Sequence, residues 1–172
     1  IWKGEFAHIN HGSFHARGNE RIQFPDGIPF HRLASMDDAW PYKGKTNYLF
    51  PQSHGYQYKG YYLNSEKRPT FMYEYGTIKV EDFFEDHLDK NGKAFFTRTV
   101  TFSTKDEQEP FFFRLGTGKE IKENRESWND DRLSLSFHKD IKTVIREGES
   151  KDLLLPIHLD KGKTIIKIDY KW

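Results

Sequence analysis

Three histidines near the start of the chain have a spacing that suits metal binding on a helix. His8, His11 and His15 form a His-x-x-His-x-x-x-His pattern, and on a helix their imidazole nitrogens would share a face able to bind zinc or copper. Asn10 and Gly12 disfavour a helix, and on a regular strand His8 and His11 point to opposite faces. Only an irregular loop would bring the three rings together, so ordinary surface or packed histidines are the favoured interpretation.

The acidic run 81–86 offers two carboxylates for glycosidase-type acid and base chemistry. Glu81 and Glu85 would share one face of a strand, although carboxylates this close on a strand usually form a solvated edge. The chain has no cysteine, no Gly-x-Ser-x-Gly nucleophile elbow, no phosphate-cradling Gly-x-x-x-x-Gly-Lys-Ser/Thr loop and no dinucleotide fingerprint. The sequence therefore predicts no cofactor and identifies no catalytic residue.

Tyrosines crowd the segments 55–63 and 70–75, and both faces of the first segment carry them. Aromatic rings stack on the apolar faces of sugars while hydroxyl groups supply hydrogen bonds. We therefore predict a ligand-binding platform that includes Tyr56, Tyr58, Tyr61, Tyr62 and, in the preceding loop, Trp40 and Tyr42. The alternative is a sandwich whose outer face is covered by loops. Single-stranded nucleic acid also stacks on aromatic rings, but it needs a basic groove as well.

The composition fits one globular domain across residues 1–172. Because the chain begins at Ile1 rather than Met, we expect this domain to be excised from or processed out of a larger protein. Aromatic residues make up 16% of the chain, which is enough to build a core despite its polar character. The 27 basic and 26 acidic residues leave a net charge of +1, which gives no electrostatic footprint for nucleic acid. No stretch approaches the roughly 18 apolar residues that span a bilayer.

Strand patterns dominate the chain, and we predict strands at 55–63, 70–75, 77–85, 93–103, 110–115, 131–137, 152–159 and 163–172. The turns at 91–92 and 160–162 contain the Gly and Asn residues that tolerate positive φ. No segment has a convincing helical period, and 119–128 is at most a polar loop with one turn. The longest irregular stretch is 35–54. We predict an all-β fold, an antiparallel β-sandwich of short strands with little or no helix.

One predicted hairpin brings two opposite charges together. Folding 77–84 onto 93–103 about a loop near 88–92 pairs Asp82 with Arg98 inside apolar rows, in the register Ile78–Phe102, Val80–Val100, Asp82–Arg98 and Phe84–Phe96. Buried charges are paired in folded proteins, so a structural ion pair is the favoured interpretation. The alternative is a functional charge inside a cleft.

Motifs spread over nearly the whole chain carry a family resemblance. They lie at 2–6, 16–18, 25–30, 39–41, 55–63, 68–73, 80–82, 112–114 and 168–172, and the run 55–82 is the most specific. These segments resemble an uncharacterised domain of large secreted bacterial proteins that also carry c-type cytochrome and β-propeller, dehydrogenase-like parts. The resemblance implies an accessory module in the periplasm or outside the cell. It brings no catalytic residues, and the haem motif is absent from this chain.

From the sequence we expect a non-catalytic binding or scaffolding module of an extracytoplasmic multidomain protein. Carbohydrate is the candidate ligand, and neighbouring domains of the same polypeptide are the expected partners, with no nucleic acid and no membrane. One alternative is a sugar-active enzyme domain that uses carboxylates such as Glu81 or Asp82 near an aromatic cleft. Another is a structural domain that docks a cytochrome against its dehydrogenase.

Overall fold

The fold is a β-sandwich in which a large antiparallel sheet packs against a smaller one. The computed structural model describes residues 8–10, 13–15, 24–25, 27–41, 51–124, 127–130, 133–138, 141–148 and 150–172. In these residues the strands are β1 (His8–Asn10), β2 (Ser13–His15), β3 (Phe30–His31), β4 (Tyr56–Leu63), β5 (Pro69–Tyr75), β6 (Ile78–Leu88), β7 (Ala94–Thr104), β8 (Gln108–Gly118), β9 (Lys122–Asn124), β10 (Ser127–Asp130), β11 (Leu133–Phe137), β12 (Val144–Arg146), β13 (Lys151–Leu159) and β14 (Gly162–Lys171).

The larger sheet has eight strands in the order β4-β5-β6-β7-β14-β11-β10-β9, and the smaller has four in the order β12-β13-β8-β3. Strands β1 and β2 form a separate two-stranded sheet. A 3₁₀ helix, Pro51–His54, precedes β4, and no α-helix occurs in the described residues. No helix in this part of the chain has the length and apolar character needed to cross a bilayer. The predicted all-β sandwich is confirmed.

The eight predicted strands correspond to β4 to β8, β11, β13 and β14, with ends that agree to within three residues. The prediction for 119–128 was wrong, because β9 and β10 occupy part of that segment as strands. These strands and the other unpredicted ones are two to four residues long. Segments of that length hold too few residues to show an alternating pattern.

The core lies between the two sheets and is built mainly from alternate residues of their strands. Its centre is Phe30 of β3, which is fully buried. The Phe30 ring packs edge-on against Phe102 of the large sheet and against Phe111 and Phe113 of the small sheet, with ring centroids 5.2, 5.9 and 4.8 Å away. Aromatic rings prefer this geometry, and each buries a large apolar area. Phe30 therefore joins the two layers.

The β6–β7 hairpin has a register two residues away from the predicted one. Val80 pairs with Phe102, and Asp82 pairs with Val100. The tight turn after Leu88 sets this register, because the Asp89 backbone N–H donates to the Lys93 carbonyl at 2.8 Å and Gly92 adopts a positive φ of 75°. Such short loops fix hairpin registers. Side chains alternate with a period of two, so the shift leaves every residue on its predicted face.

Candidate functional site

The tyrosine-rich strands β4 and β5 form a hairpin at one edge of the large sheet. Tyr56 pairs with Tyr75 and Tyr58 pairs with Tyr73, and after a bulge Tyr61 pairs with Phe71. The turn that joins the strands is held by Asn64, whose Oδ1 accepts hydrogen bonds from the backbone N–H groups of Glu66 and Arg68 at 3.0 and 2.9 Å. This turn fixes the register, and the register places the tyrosines in rows.

At one end of the hairpin the tyrosines belong to the core. Tyr56 is only 8% exposed, and its hydroxyl donates to the Phe30 carbonyl at 2.6 Å and accepts from the Phe30 backbone N–H at 2.8 Å. Its ring packs on Phe30, Tyr73 and Tyr75. Burial raises the pKa of the Tyr56 hydroxyl above its ordinary value. Tyr56, predicted as a ligand residue, instead anchors β3 to the large sheet.

At the other end of the hairpin the aromatic side chains are exposed. Tyr58 is 63% exposed, Tyr61 is 58% exposed and Phe71 is 41% exposed. The rings of Tyr61 and Phe71 lie 6.1 Å apart with a 52° tilt. The pairing of β4 with β5 puts these three residues and the exposed Leu63 on the sheet face that also carries Tyr73 and Tyr75. We call these four residues the aromatic patch.

Tyr62 lies on the opposite face from the aromatic patch, because it follows Tyr61 directly and pairs with Thr70. Its side chain is also exposed, at 46%. Its hydroxyl and Glu81 Oε1 form a long hydrogen bond of 3.3 Å, and Lys163 approaches Glu81 at 3.9 Å. The structure therefore separates Tyr62 from Tyr58 and Tyr61, with which the sequence grouped it.

Trp40 is buried and does not form a wall of a ligand site. Its Nε1–H donates to the Ile28 carbonyl at 2.9 Å. The guanidinium groups of Arg114 and Arg146 lie 5.7 and 5.8 Å from the Trp40 ring, and both bind the buried carboxylate of Asp152. Aromatic rings attract cations in this way. Trp40 therefore fastens the segment after β3 to the small sheet, while Tyr42 lies outside the described residues.

Asp82 and Arg98 form a buried, bidentate ion pair. Arg98 Nε donates to Asp82 Oδ1 at 2.8 Å, and Arg98 Nη2 donates to Oδ2 at 2.6 Å. The rings of Phe24, Phe84 and Phe113 lie within 5.0–5.8 Å of the guanidinium. Both carboxylate oxygens are occupied, so the geometry is that of a structural pair rather than of a catalytic acid or base.

The hydroxyl of Tyr73 lies beside this ion pair, in surroundings that keep it protonated. Burial raises the pKa of Tyr73, and the nearby Asp82 carboxylate adds to the increase. Burial likewise raises the pKa of Tyr170, whose hydroxyl lies near Arg98. Neutral phenols next to a balanced ion pair add no net charge to the core. The cluster can therefore remain buried between the sheets.

Glu81 and Glu85 lie on the solvent-facing side of the large sheet, as their spacing predicted. Glu85 receives a hydrogen bond from Arg68 Nη1 at 3.3 Å, and His87 Nε2 lies 3.5 Å from its other oxygen. Each of these carboxylates thus faces a cation, and each lies on the side of the sheet opposite Tyr61. The structure does not bring them to the aromatic patch.

The histidine pattern falls only partly within the residues that the structure describes. The backbone register pairs His8 with His15 across β1 and β2, whereas His11 lies outside the described residues. Within the described part of the chain, no group of three or more His, Cys, Asp or Glu side chains is placed to hold a metal ion. The proposed metal site at His8, His11 and His15 stays a prediction.

Phe71 was not named as a site residue from the sequence. Its signal was present, because it alternates with Tyr73 and Tyr75 along β5 and shares their face. The sequence showed no sign of the bulge near Lys59, which brings Tyr61 rather than Gly60 opposite Phe71.

Comparison of the chain with known protein families, with curated proteins and with solved structures finds no match.

Proposed function

We propose that this chain is a non-catalytic binding module and that carbohydrate is the ligand held on its aromatic patch. The observation that carries the proposal is the exposure of Tyr58, Tyr61 and Phe71 together on one face of a hydrogen-bonded sheet. Large side chains exposed as a group mark interaction surfaces more often than scattered ones do. The sheet supplies a rigid support, so little order has to be gained on binding.

The chemistry of the aromatic patch supports a sugar as the ligand class. The flat rings of Tyr61 and Phe71 offer apolar surface to the C–H faces of a sugar, and the hydroxyls of Tyr58 and Tyr61 supply hydrogen bonds. The charge next to the patch on β6 is balanced, since Asp82, which pairs with Phe71 across β5 and β6, forms an ion pair with Arg98 at 2.6 Å. A nucleic-acid strand would need an excess of positive charge here.

The enzyme alternative has less support from the contacts around its proposed carboxylates. Asp82 is buried and fully engaged by Arg98, and Glu81 lies on the sheet face opposite Tyr61. A glycosidase needs two carboxyl groups flanking the sugar. The sequence resemblance supports an extracytoplasmic, multidomain setting, in which neighbouring domains of the same polypeptide are the partners.

Affinity electrophoresis against a panel of soluble polysaccharides tests the proposal. We expect retarded migration with at least one neutral polysaccharide and no release of reducing sugar. The variant in which Tyr58 and Tyr61 are both replaced by Ala should lose the retardation, because the stacking surface is removed. Free migration of the wild-type protein through every polysaccharide would refute carbohydrate binding, and release of reducing sugar would favour the enzyme alternative.

A further inference from the structure

A polar pocket of about 350 Å³ opens at the end of the sandwich where β6 begins, β7 ends and β8 begins. Its lining combines three hydroxyl groups, two ammonium groups, one carboxylate and one amide, from Thr77, Lys79, Ser103, Thr104, Lys105, Asp106 and Gln108. Ligand sites usually have volumes of about 300–1,000 Å³, so this pocket suits a molecule of monosaccharide size. The pocket shares no residue with the aromatic patch.

One wall of the pocket is held in place by hydrogen bonds centred on Gln108. Thr77 Oγ1 donates to Gln108 Oε1 at 3.0 Å, and Gln108 Nε2 donates to Thr104 Oγ1 at 3.0 Å. Thr104 Oγ1 in turn donates to the Asp106 carbonyl at 2.8 Å. This network ties the start of β6 to the turn between β7 and β8. The pocket therefore exists before any ligand arrives, which lowers the entropic cost of binding.

The two lysines of the pocket lack ionic partners within the described part of the chain. Glu74 lies opposite Lys79 across β5 and β6, but its carboxylate pairs with Lys59 at 3.0 Å. Asp106 supplies the one carboxylate among the lining residues, against the two ammonium groups of Lys79 and Lys105. The lining thus carries an excess of one positive charge.

The hydrogen-bonding capacity of the pocket matches that of an anion. The hydroxyl of Ser103 has no hydrogen-bond partner among the described residues and is free to donate, as are the ammonium groups of Lys79 and Lys105. Oxyanions accept several hydrogen bonds at once, and bonds that involve charged groups are the stronger ones. We infer that this pocket binds a small ligand through an oxyanion group, which is a phosphate, a sulfate or a sugar carboxylate.

Titrations of the ¹⁵N-labelled chain, followed by amide NMR shifts at constant ionic strength, test this inference. The probes are inorganic phosphate, inorganic sulfate and glucuronate, added separately, so that the source of the oxyanion is resolved. We expect saturable shifts confined to residues 77–79 and 103–108 for at least one probe. The Lys79→Gln and Lys105→Gln variants should each weaken that binding by about tenfold, because each loses a charged hydrogen bond.

The matched control is Lys167→Gln, which removes the same charge from an exposed position on β14 that does not line the pocket. Its affinity for the probe should equal that of the wild type. The inference is overturned if none of the three anions gives saturable shifts at the pocket, or if Lys167→Gln weakens binding as much as Lys79→Gln does. Binding of a neutral glycan to the aromatic patch should be unchanged in Lys79→Gln, so the two proposals can fail separately.

Discussion

Both ends of the β4–β5 hairpin carry tyrosines, but the tyrosines at one end are buried in the core and those at the other end are exposed. At one end Tyr56 and Tyr75 lie beneath Phe30, and the Tyr56 hydroxyl binds both backbone groups of that residue. At the other end Tyr58 and Tyr61 present their rings to solvent. The strands are continuous between the ends, so local sequence does not set the difference. The covering strand β3 does, because it brings Phe30 over one end.

The tyrosines at the covered end stabilise the fold, whereas those at the open end are available for binding. Burying an aromatic side chain stabilises a protein by about 1.5–3 kcal/mol, and a buried hydroxyl must find a partner. Tyr56 meets both conditions within the chain. Tyr58 and Tyr61 keep their apolar surface in contact with water, so only a ligand or partner would bury it. The covered end should therefore be sensitive to substitution, and the open end should tolerate it.

The largest effect is expected from breaking the buried ion pair between Asp82 and Arg98. Asp82→Asn leaves the Arg98 guanidinium buried without a counter-charge, which should lower the free energy of unfolding by about 3–5 kcal/mol. Urea denaturation followed by tryptophan fluorescence measures this loss. A loss below about 1 kcal/mol would mean that the pair behaves like a surface salt bridge, contrary to its burial. Replacing both residues by apolar ones should restore part of the stability.

Truncating one tyrosine at each end tests whether burial makes the covered end more sensitive to substitution than the open end. Tyr56→Ala should destabilise the fold by about 3–5 kcal/mol, because it leaves a cavity and removes both bonds to Phe30. Tyr61→Ala should change stability by no more than about 0.5 kcal/mol, since its ring is exposed. Thermal and urea unfolding of the two variants under the same conditions measure the difference. Equal losses would show that exposure does not distinguish the two ends.

High pH should lower the stability of the fold through the buried hydroxyls of Tyr56 and Tyr73. Burial raises the pKa of Tyr56 and Tyr73 in the folded chain, whereas in the unfolded chain they ionise near pH 10. Above that pH the unfolded state binds fewer protons than the folded state, so stability falls as pH rises, by about 1.4 kcal/mol per pH unit for each such group.

Urea unfolding between pH 9 and about 11.5 checks this slope. The Tyr56→Phe variant has one fewer hydroxyl to titrate, so its stability should fall less steeply than that of the wild type. Tyr61→Phe removes an exposed hydroxyl and serves as the comparison. Identical slopes for the wild type and Tyr56→Phe would contradict the inferred increase in the Tyr56 pKa.

Much of the fold was predictable because long strands repeat their pattern many times. Strands β6 and β7 are each eleven residues long, and apolar residues alternate with polar ones at Ile78 and Val80 in β6 and at Val100 and Phe102 in β7. The Asn91–Gly92 turn marks where the two strands reverse. The partnership of Asp82 with Arg98 followed from the rule that buried charges pair. The register in which β6 pairs with β7 could not be predicted in the same way, because the number of residues in the loop depends on how the Asp89 carboxylate and backbone close the turn.

The candidate site was only partly predictable, because whether a side chain is buried depends on residues that are distant in the sequence. Nothing near Tyr56 in the sequence indicates that Phe30, 26 residues earlier, will bind its hydroxyl. Trp40 was misjudged for the same reason, since Arg114 and Arg146 enclose it from strands far along the chain. The tyrosine content of the sequence thus pointed to the hairpin, but which of its ends is exposed could be seen only from the packing of the second sheet.

A matched pair of variants on β4 tests whether the open end of the hairpin binds a sugar. Tyr61 and Tyr62 are neighbours on β4 with similar exposure, on opposite faces of the sheet. Isothermal titration with a glycan bound by the wild type should show about a tenfold weaker affinity for Tyr61→Ala, because it loses its stacking surface, and an unchanged affinity for Tyr62→Ala. Equal affinity in Tyr61→Ala and the wild type, or an equal loss in both variants, would show that the aromatic patch is not the sugar-binding surface.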